Sequence, residues 1–195
     1  MNITPVVTTL IDGVAENIDL INYDFLKNRV IYISNGIDTN MSIRVCSQIR
    51  YLSKKSDKDI YIVINSRGGA INDGLAILDS MLNCRCDIWT IATGTAASMG
   101  AFLLAMGTKG KRYATSNAEI MIHQPLGGAQ GQATDIMVVA EHIQSIKIKM
   151  ANMLSSATSI SQEQLLQDME RDFWMSSVEA KEYGIIDYIG FPEVE

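Results

Sequence analysis

A serine hydroxyl attacks a carbonyl only when a base stands ready to take its proton, and histidine most often does so. The chain contains two histidines. His142 lies within a long helical pattern between Glu141 and Ile143, where a surface or packing role fits. His123 ends a β-rich run and is followed by Gln124-Pro125 and a glycine-rich stretch, where side chains project from a rigid edge into open space. Ser98 stands within Gly94-Thr95-Ala96-Ala97-Ser98-Met99-Gly100-Ala101. At the start of a helical run, small neighbours leave its hydroxyl uncrowded and the first-turn N–H groups unpaired. An oxyanion hole needs two backbone N–H donors about 3 Å from the developing charge. Gly69, in the Gly68-Gly69 turn that closes an earlier strand, and Met99, directly after the serine, are candidates. Each feature alone has a commoner explanation: a helix N-cap for Ser98, an ordinary turn for the glycines, and a backbone-bonded strand end for His123.

The elements that must hold these residues follow from periodicity. Residues 29–34, 59–65 and 87–92 read as buried strands, and 39–54 and 71–83 as helices with one apolar side. A turn at 93–95, a helix over 96–106 rich in small residues, and short strands at 111–115 and 119–123 come next. Pro125, Gly127, Gly128 and Gly131 then form an extended segment leading into a long helix from about Thr134. Its stripe of Ile136, Val139, Ala140, Ile143, Ile146, Met150 and Met153 needs a partner surface. Ser161-Gln162-Glu163-Gln164 predicts a capping box opening a helix to Arg171. Ser176-Ser177-Val178-Glu179 predicts another helix, stopping at Gly184, before a strand over 185–189. The pattern is α/β.

Composition excludes several functions. At 195 residues, 47% hydrophobic and 19% charged, the chain can bury one sizeable core, so a single domain over 1–195 is expected. A net charge of -6 argues against nucleic-acid binding. No apolar run approaches the ~18 residues of a membrane span. Met1-Asn2-Ile3-Thr4-Pro5 has neither segment of a secretory signal, which predicts a cytoplasmic protein. Cys46, Cys84 and Cys86 read as reduced packing thiols, with no metal or cofactor site. No glycine-rich loop ends in Lys-Ser or Lys-Thr, so ATP hydrolysis is not expected of this chain.

From about Pro5 to Ile189 the sequence resembles the proteolytic subunit of the Clp protease (the ClpP family), self-compartmentalised serine peptidases. The blocks that carry the resemblance are Asn65-Ser66-Arg67-Gly68-Gly69, Gly94 to Ala101, Met121 to Gly128, Gly131 to Ile136, and Glu170-Arg171-Asp172. It implies a crotonase-like fold of repeated ββα units with a long protruding handle helix, the handle region spanning about 125–157 and an N-terminal axial segment 1–20. It implies Ser98 as nucleophile, His123 as general base and Asp172 as third member of the triad, with Gly69 and Met99 as oxyanion donors. Gly127 and Gly128 would let a substrate peptide lie as an added strand. Glu170 and Arg171 are similar to a pair that couples ring contact to triad alignment.

The implied assembly is a homo-oligomer of two stacked seven-membered rings, fed unfolded polypeptide by an AAA+ unfoldase of the ClpX, ClpA or ClpC type. Tyr61 and Tyr113 match the family's docking cleft, but Val63, Asn83, Thr93, Thr115 and Gly190 replace bulkier or more apolar side chains. Arg67 stands where proline is usual, and Thr95 where glutamine is common. A second reading is therefore a regulatory or structural paralogue in a hetero-oligomer with a more typical subunit. A third, a crotonase-like acyl-CoA enzyme, would leave Ser98, His123 and Asp172 a coincidence.

Overall fold

The computed structural model describes residues 5–11 and 13–192. Parts of the expected axial segment 1–20, namely residues 1–4 and 12, lie outside the described residues, as do 193–195 at the end of the expected domain 1–195. The chain opens with an antiparallel hairpin of β1 (Val6–Ile11) and β2 (Val14–Asp19). A short helix, α1 (Leu20–Tyr23), and a π-helical turn over Asp24–Asn28 lead into the main sheet.

That sheet is mostly parallel. β3 (Val30–Ile33), α2 (Thr39–Lys55), β4 (Ile60–Ser66), α3 (Ile71–Leu82) and β5 (Ile88–Ala97) alternate, and β3, β4 and β5 pair in parallel register. Parallel neighbours need a crossover, which the two helices supply. Ile60, Ile62 and Ile64 on one face of β4 are fully buried, as are Val45 and Ile49 of α2 and Ile77 and Leu78 of α3 to within 1%. The period-2 and period-3.6 patterns thus meet in one core.

β5 is longer than its apolar run suggests. Residues 93–95, read from sequence as a turn, continue the strand to Ala97, and the following helix, α4 (Met99–Ala105), starts three residues later than expected. Small polar residues mask the strand because its far half pairs with a different neighbour. Thr90 to Ala92 pair with β6 (Arg112–Ala114), whereas Thr95 to Ala97 pair with β7 (Glu119–Ile122).

The long helix is α5 (Ala133–Ala157). Met150, Ala151 and Leu154 in its last turns are buried, while Ile136, Met137 and Val138 near its start are exposed. The apolar stripe is therefore covered over only part of its length. Ser161 caps α6 (Gln162–Asp168) by accepting the Gln164 N–H at 3.2 Å. α6 ends before Arg171 because the chain must straighten into β8 (Phe173–Ser176), a strand not foreseen from sequence. The capping box at Ser176 and Glu179 is complete, and α7 (Ser177–Tyr183) stops at Gly184. The closing strand β9 is only Tyr188–Ile189, because Ile185 and Ile186 are buried under the sheet's edge while Asp187 turns to an ion pair.

In that pair, Arg112, 3% exposed, donates from Nη2 to Asp187 Oδ1 at 2.6 Å and from Nε to Oδ2 at 2.9 Å. Its Nη1 donates to the carbonyls of Ala105 and Ala157, the last residues of α4 and α5. Burial pushes the Asp187 carboxyl upward, but the Arg112 guanidinium and the N–H groups of Arg112 and Gly110 outweigh it and hold the carboxyl below its ordinary range. Asp187→Ala, which strands a buried guanidinium, is expected to cost about 3–5 kcal/mol. Because the folded value is depressed, the pair's contribution is complete above the unfolded carboxyl's value, about 3.9, and fades as pH falls through the folded one. Denaturant midpoints should show a gap between wild type and variant that closes in acid; a pH-independent gap would refute this.

Candidate active site

Three strands converge on the candidate residues. Ala97 of β5 is in parallel register with Met121 of β7, and Ile122 at the end of β7 is in antiparallel register with Phe173 of β8. One step beyond each pairing places Ser98 beside the end of β7 and His123 opposite Asp172. The side chains meet accordingly. His123 Nε2 lies 2.8 Å from Ser98 Oγ, and His123 Nδ1 lies 3.2 Å from Asp172 Oδ1. The His123 side chain is 15% exposed and that of Asp172 is 60% exposed.

Ser98 itself is held in an unfavourable backbone conformation, φ 53° and ψ -123°. Positive φ in a non-glycine residue persists only where the surroundings over-determine it, at a cost on the order of 1–3 kcal/mol. Here the Ser98 N–H donates to the Met121 carbonyl at 2.8 Å, and the Ser98 carbonyl accepts from Phe102 N–H at 3.0 Å. The residue is thus locked at the corner between β5 and a helix whose every residue is buried. A sharp, strained strand-to-helix turn lifts the serine oxygen clear of the sheet.

The β4–α3 turn forms the opposite wall. Ser66 donates from Oγ to the Asn35 carbonyl at 2.6 Å and accepts the Gly68 N–H at 3.1 Å. The Gly68 carbonyl accepts from Ile37, whose own carbonyl accepts from Ala70. Gly68 has φ +92°, and a Cβ there would lie 2.7 Å from Ser98 Cβ and 2.9 Å from Met99 N. Among the described residues, the Gly69 and Met99 N–H groups donate no hydrogen bond, although those of Gly68, Ala70 and Ser98 do. The Met99 side chain is fully buried, and its nitrogen lies against the Gly68 turn. Between the walls lies a cavity of about 230 Å³ whose lining includes Gly69, Ser98 and His123 and the apolar Ile71, Leu126 and Met150.

A family model described as Clp protease matches residues 12–193. The chain belongs to the Clp protease family. At the level of the family, membership implies serine peptidase chemistry and an oligomeric assembly that works with an unfoldase. Among the described residues, no helix is long and apolar enough to cross a membrane.

The other residues singled out in this Clp protease lie around the cavity or away from it. Gly127 and Gly128 follow Pro125 and Leu126 in an irregular segment; the latter two line the cavity and the glycines do not. Gly127 runs close to Ile143 of α5. Glu170 pairs with Lys147 of α5 at 2.7 Å, and that ammonium holds its exposed carboxyl below the ordinary range. Arg171 is exposed and makes no ion pair among the described residues. Trp89 sits between Tyr61 and Tyr113 at centroid distances of 5.4 and 5.5 Å, and Tyr188 extends the row beyond Tyr113 at 5.1 Å. This row lies near the start of β5, away from Ser98 at its end. His142 is exposed on α5, as its polar neighbours suggest.

Two contributors escape a sequence reading. Gln124, next to His123, donates its backbone N–H to the Met169 carbonyl at 2.7 Å and its side-chain amide to the Glu170 carbonyl at 2.9 Å. It ties the segment carrying Asp172 to the segment carrying His123. Ser66 braces the glycine turn. The Pro after Gln124 and the glycines after Ser66 mark irregular backbone, but only β8, hidden in sequence, reveals what Gln124 holds.

The crowding at Gly68 makes a direct test. Gly68→Ala is expected to destabilise the fold by about 1–3 kcal/mol and to loosen the Ser98 corner. Hydrogen exchange should report faster opening at the Ser98 amide, now bonded to Met121. An unchanged exchange rate and midpoint would contradict the packing described.

Proposed function

We propose that this Clp-family chain is a serine endopeptidase subunit in which Ser98, His123 and Asp172 form the triad. The observation that carries the reading is the 2.8 Å contact between Ser98 Oγ and His123 Nε2 at a strained strand-to-helix corner, with Asp172 on the imidazole's other nitrogen. As a peptide carbonyl is attacked by Ser98 Oγ, His123 Nε2 takes the hydroxyl proton and then delivers it to the departing amine. The unpaired N–H groups of Gly69 and Met99 receive the oxyanion. Water enters by the same proton route in reverse and releases the acyl group as an acid. Asp172 orients the ring through Nδ1. The apolar side of the cavity accommodates a substrate side chain, and Gly127 and Gly128 offer backbone for an extended peptide to pair with.

The whole chain is then one peptidase domain built of repeated ββα units, with α5 as the handle. Two seven-membered rings in the cytoplasm, fed unfolded polypeptide by an AAA+ unfoldase of the ClpX, ClpA or ClpC type, are the assembly that this reading implies. Two features support activity linked to assembly. Asp172 is 60% exposed in the single chain, so its attraction for the imidazole is screened by water until a neighbour covers it. The uncovered first turns of α5 supply a surface for that neighbour. Glu170 and Arg171 directly precede Asp172, where ring contact would be felt.

A second reading, a regulatory paralogue assembled with a typical subunit, is favoured by one observation. The aromatics of the docking region, Tyr61, Trp89, Tyr113 and Tyr188, pack against one another in a row, and Val63, Asn83, Thr93, Thr115 and Gly190 offer few large apolar anchors. Native mass measurement after co-expression with a typical subunit separates the two: mixed rings support this reading, and exclusively separate ones refute it.

Peptide hydrolysis by the assembled protein tests the leading reading. Ser98→Ala and His123→Ala should each lower kcat by at least about 10⁴, and Asp172→Asn by about 10³–10⁴. Hydrolysis retained in Ser98→Ala would rule out the assignment.

A further inference from the structure

The glycine turn that walls the cavity also carries a charge that the peptidase mechanism leaves unused. Arg67 lies between Ser66 and Gly68 and lines the same cavity as Ser98 and His123. It is exposed, and its guanidinium makes no hydrogen bond or ion pair among the described residues. Other arginines near the core are engaged: Arg112 grips Asp187, and Arg29 donates to the carbonyls of Asp59, Leu52, Ser56 and Lys58. Of the residues lining the cavity, Arg67 alone carries a permanent charge, and no carboxylate lines it. In a chain of net charge -6, a cation without a carboxylate partner beside a reactive serine is conspicuous.

The base of this side chain is rigid. Ser66 Oγ bridges the Asn35 carbonyl and the Gly68 N–H, and Ile37 bonds the backbone on both sides of Gly69. The guanidinium is therefore tethered at a fixed point on the rim, two residues before Gly69. A planar fork of donors on such a tether matches a carboxylate, which it binds through two parallel charge-assisted hydrogen bonds. The cavity is apolar at Ile71, Leu126 and Met150, and a neutral peptide offers the fork only amide carbonyls, without the charge attraction and paired oxygens of a carboxylate.

From this geometry we infer that Arg67 makes the rim of the cavity a carboxylate-binding subsite that selects peptides with a carboxylate close to the bond under attack. That carboxylate is either an Asp or Glu side chain flanking the scissile bond or a free C-terminus shortly beyond it; both present the same group to the fork. The inference rests on the serine peptidase reading only for where the scissile bond lies.

Binding is read without turnover on the assembled full-length Ser98→Ala protein, by fluorescence anisotropy of three dye-labelled peptides at low salt. The first has Asn beside the central bond and an amidated end, the second replaces that Asn with Asp, and the third keeps Asn but has a free C-terminus. At least one carboxylate peptide should bind about tenfold more tightly than the neutral amide, the factor that roughly 1.4 kcal/mol produces. The peptide showing the gain identifies the source of the carboxylate. In the Arg67→Gln background the ratio should fall below about twofold, Arg67→Lys should keep part of it, and added salt should shrink it. Equal affinities for all three peptides, or a preference that survives Arg67→Gln, overturn the inference. An Arg67-dependent preference in a protein whose Ser98 form cleaves none of the peptides would leave the subsite standing and sink the peptidase reading; cleavage without preference would do the reverse.

Discussion

The pairing of β7 between β5 and β8 is the constraint on which the rest of this structure depends. Parallel register with β5 sets Ser98 beside the end of β7, and antiparallel register with β8 sets Asp172 across from His123. A slip of one residue in either ladder would turn the side chains to the opposite face of the sheet. The ladders are specified by burial, since Ile120 and Ile122 of β7 and Met175 of β8 are at most 3% exposed. Core packing of these strands therefore decides whether the serine and the imidazole meet.

Local strain completes what register begins. Ser98 sits at positive φ because the Met121 carbonyl, the buried helix after it and the close approach of Gly68 leave no alternative. Such a corner is unfavourable in isolation, and the buried α4 and the β4 and β5 strands offset it. The Arg112–Asp187 pair serves the same end from a distance, since it anchors the last residues of α4 and α5 to β6. The side of the site left loose is the acid: Asp172 is mostly exposed, and its segment is held by Gln124 and by the Lys147–Glu170 pair. The Ser98 corner is thus fixed by the fold of the single chain, whereas Asp172 is left largely exposed by it.

Much of this was legible in the residues. The alternation of β-rich and helical periods over the first half, the long striped helix, the Ser176–Glu179 capping box and the serine and histidine at element ends all have local signatures. Ser98 and His123 could be singled out because each lies where periodicity breaks. Asp172 could not be, since a carboxylate after a helix has no local mark and gains meaning only from β8. That strand, Phe173–Ser176, is too short for its alternation to be read. The extension of β5 through Thr93, Gly94 and Thr95 was hidden for a related reason: its small polar residues resemble a turn, and only tertiary pairing with β7 makes them a strand. The bracing by Gln124 and Ser66 was equally invisible, because their partners are distant backbone carbonyls.

The central claim is that Ser98, set by register and strain, stands at a cavity with the amides of Gly69 and Met99, which donate no hydrogen bond among the described residues, placed to serve it. The most direct test is the structure of the assembled protein after reaction with a peptidyl phosphonate, which mimics the tetrahedral intermediate. The account predicts phosphorus bonded to Ser98 Oγ, with its oxygen about 3 Å from both the Gly69 and Met99 nitrogens. Phosphorus on any other residue, or an oxygen turned away from those amides, would contradict it.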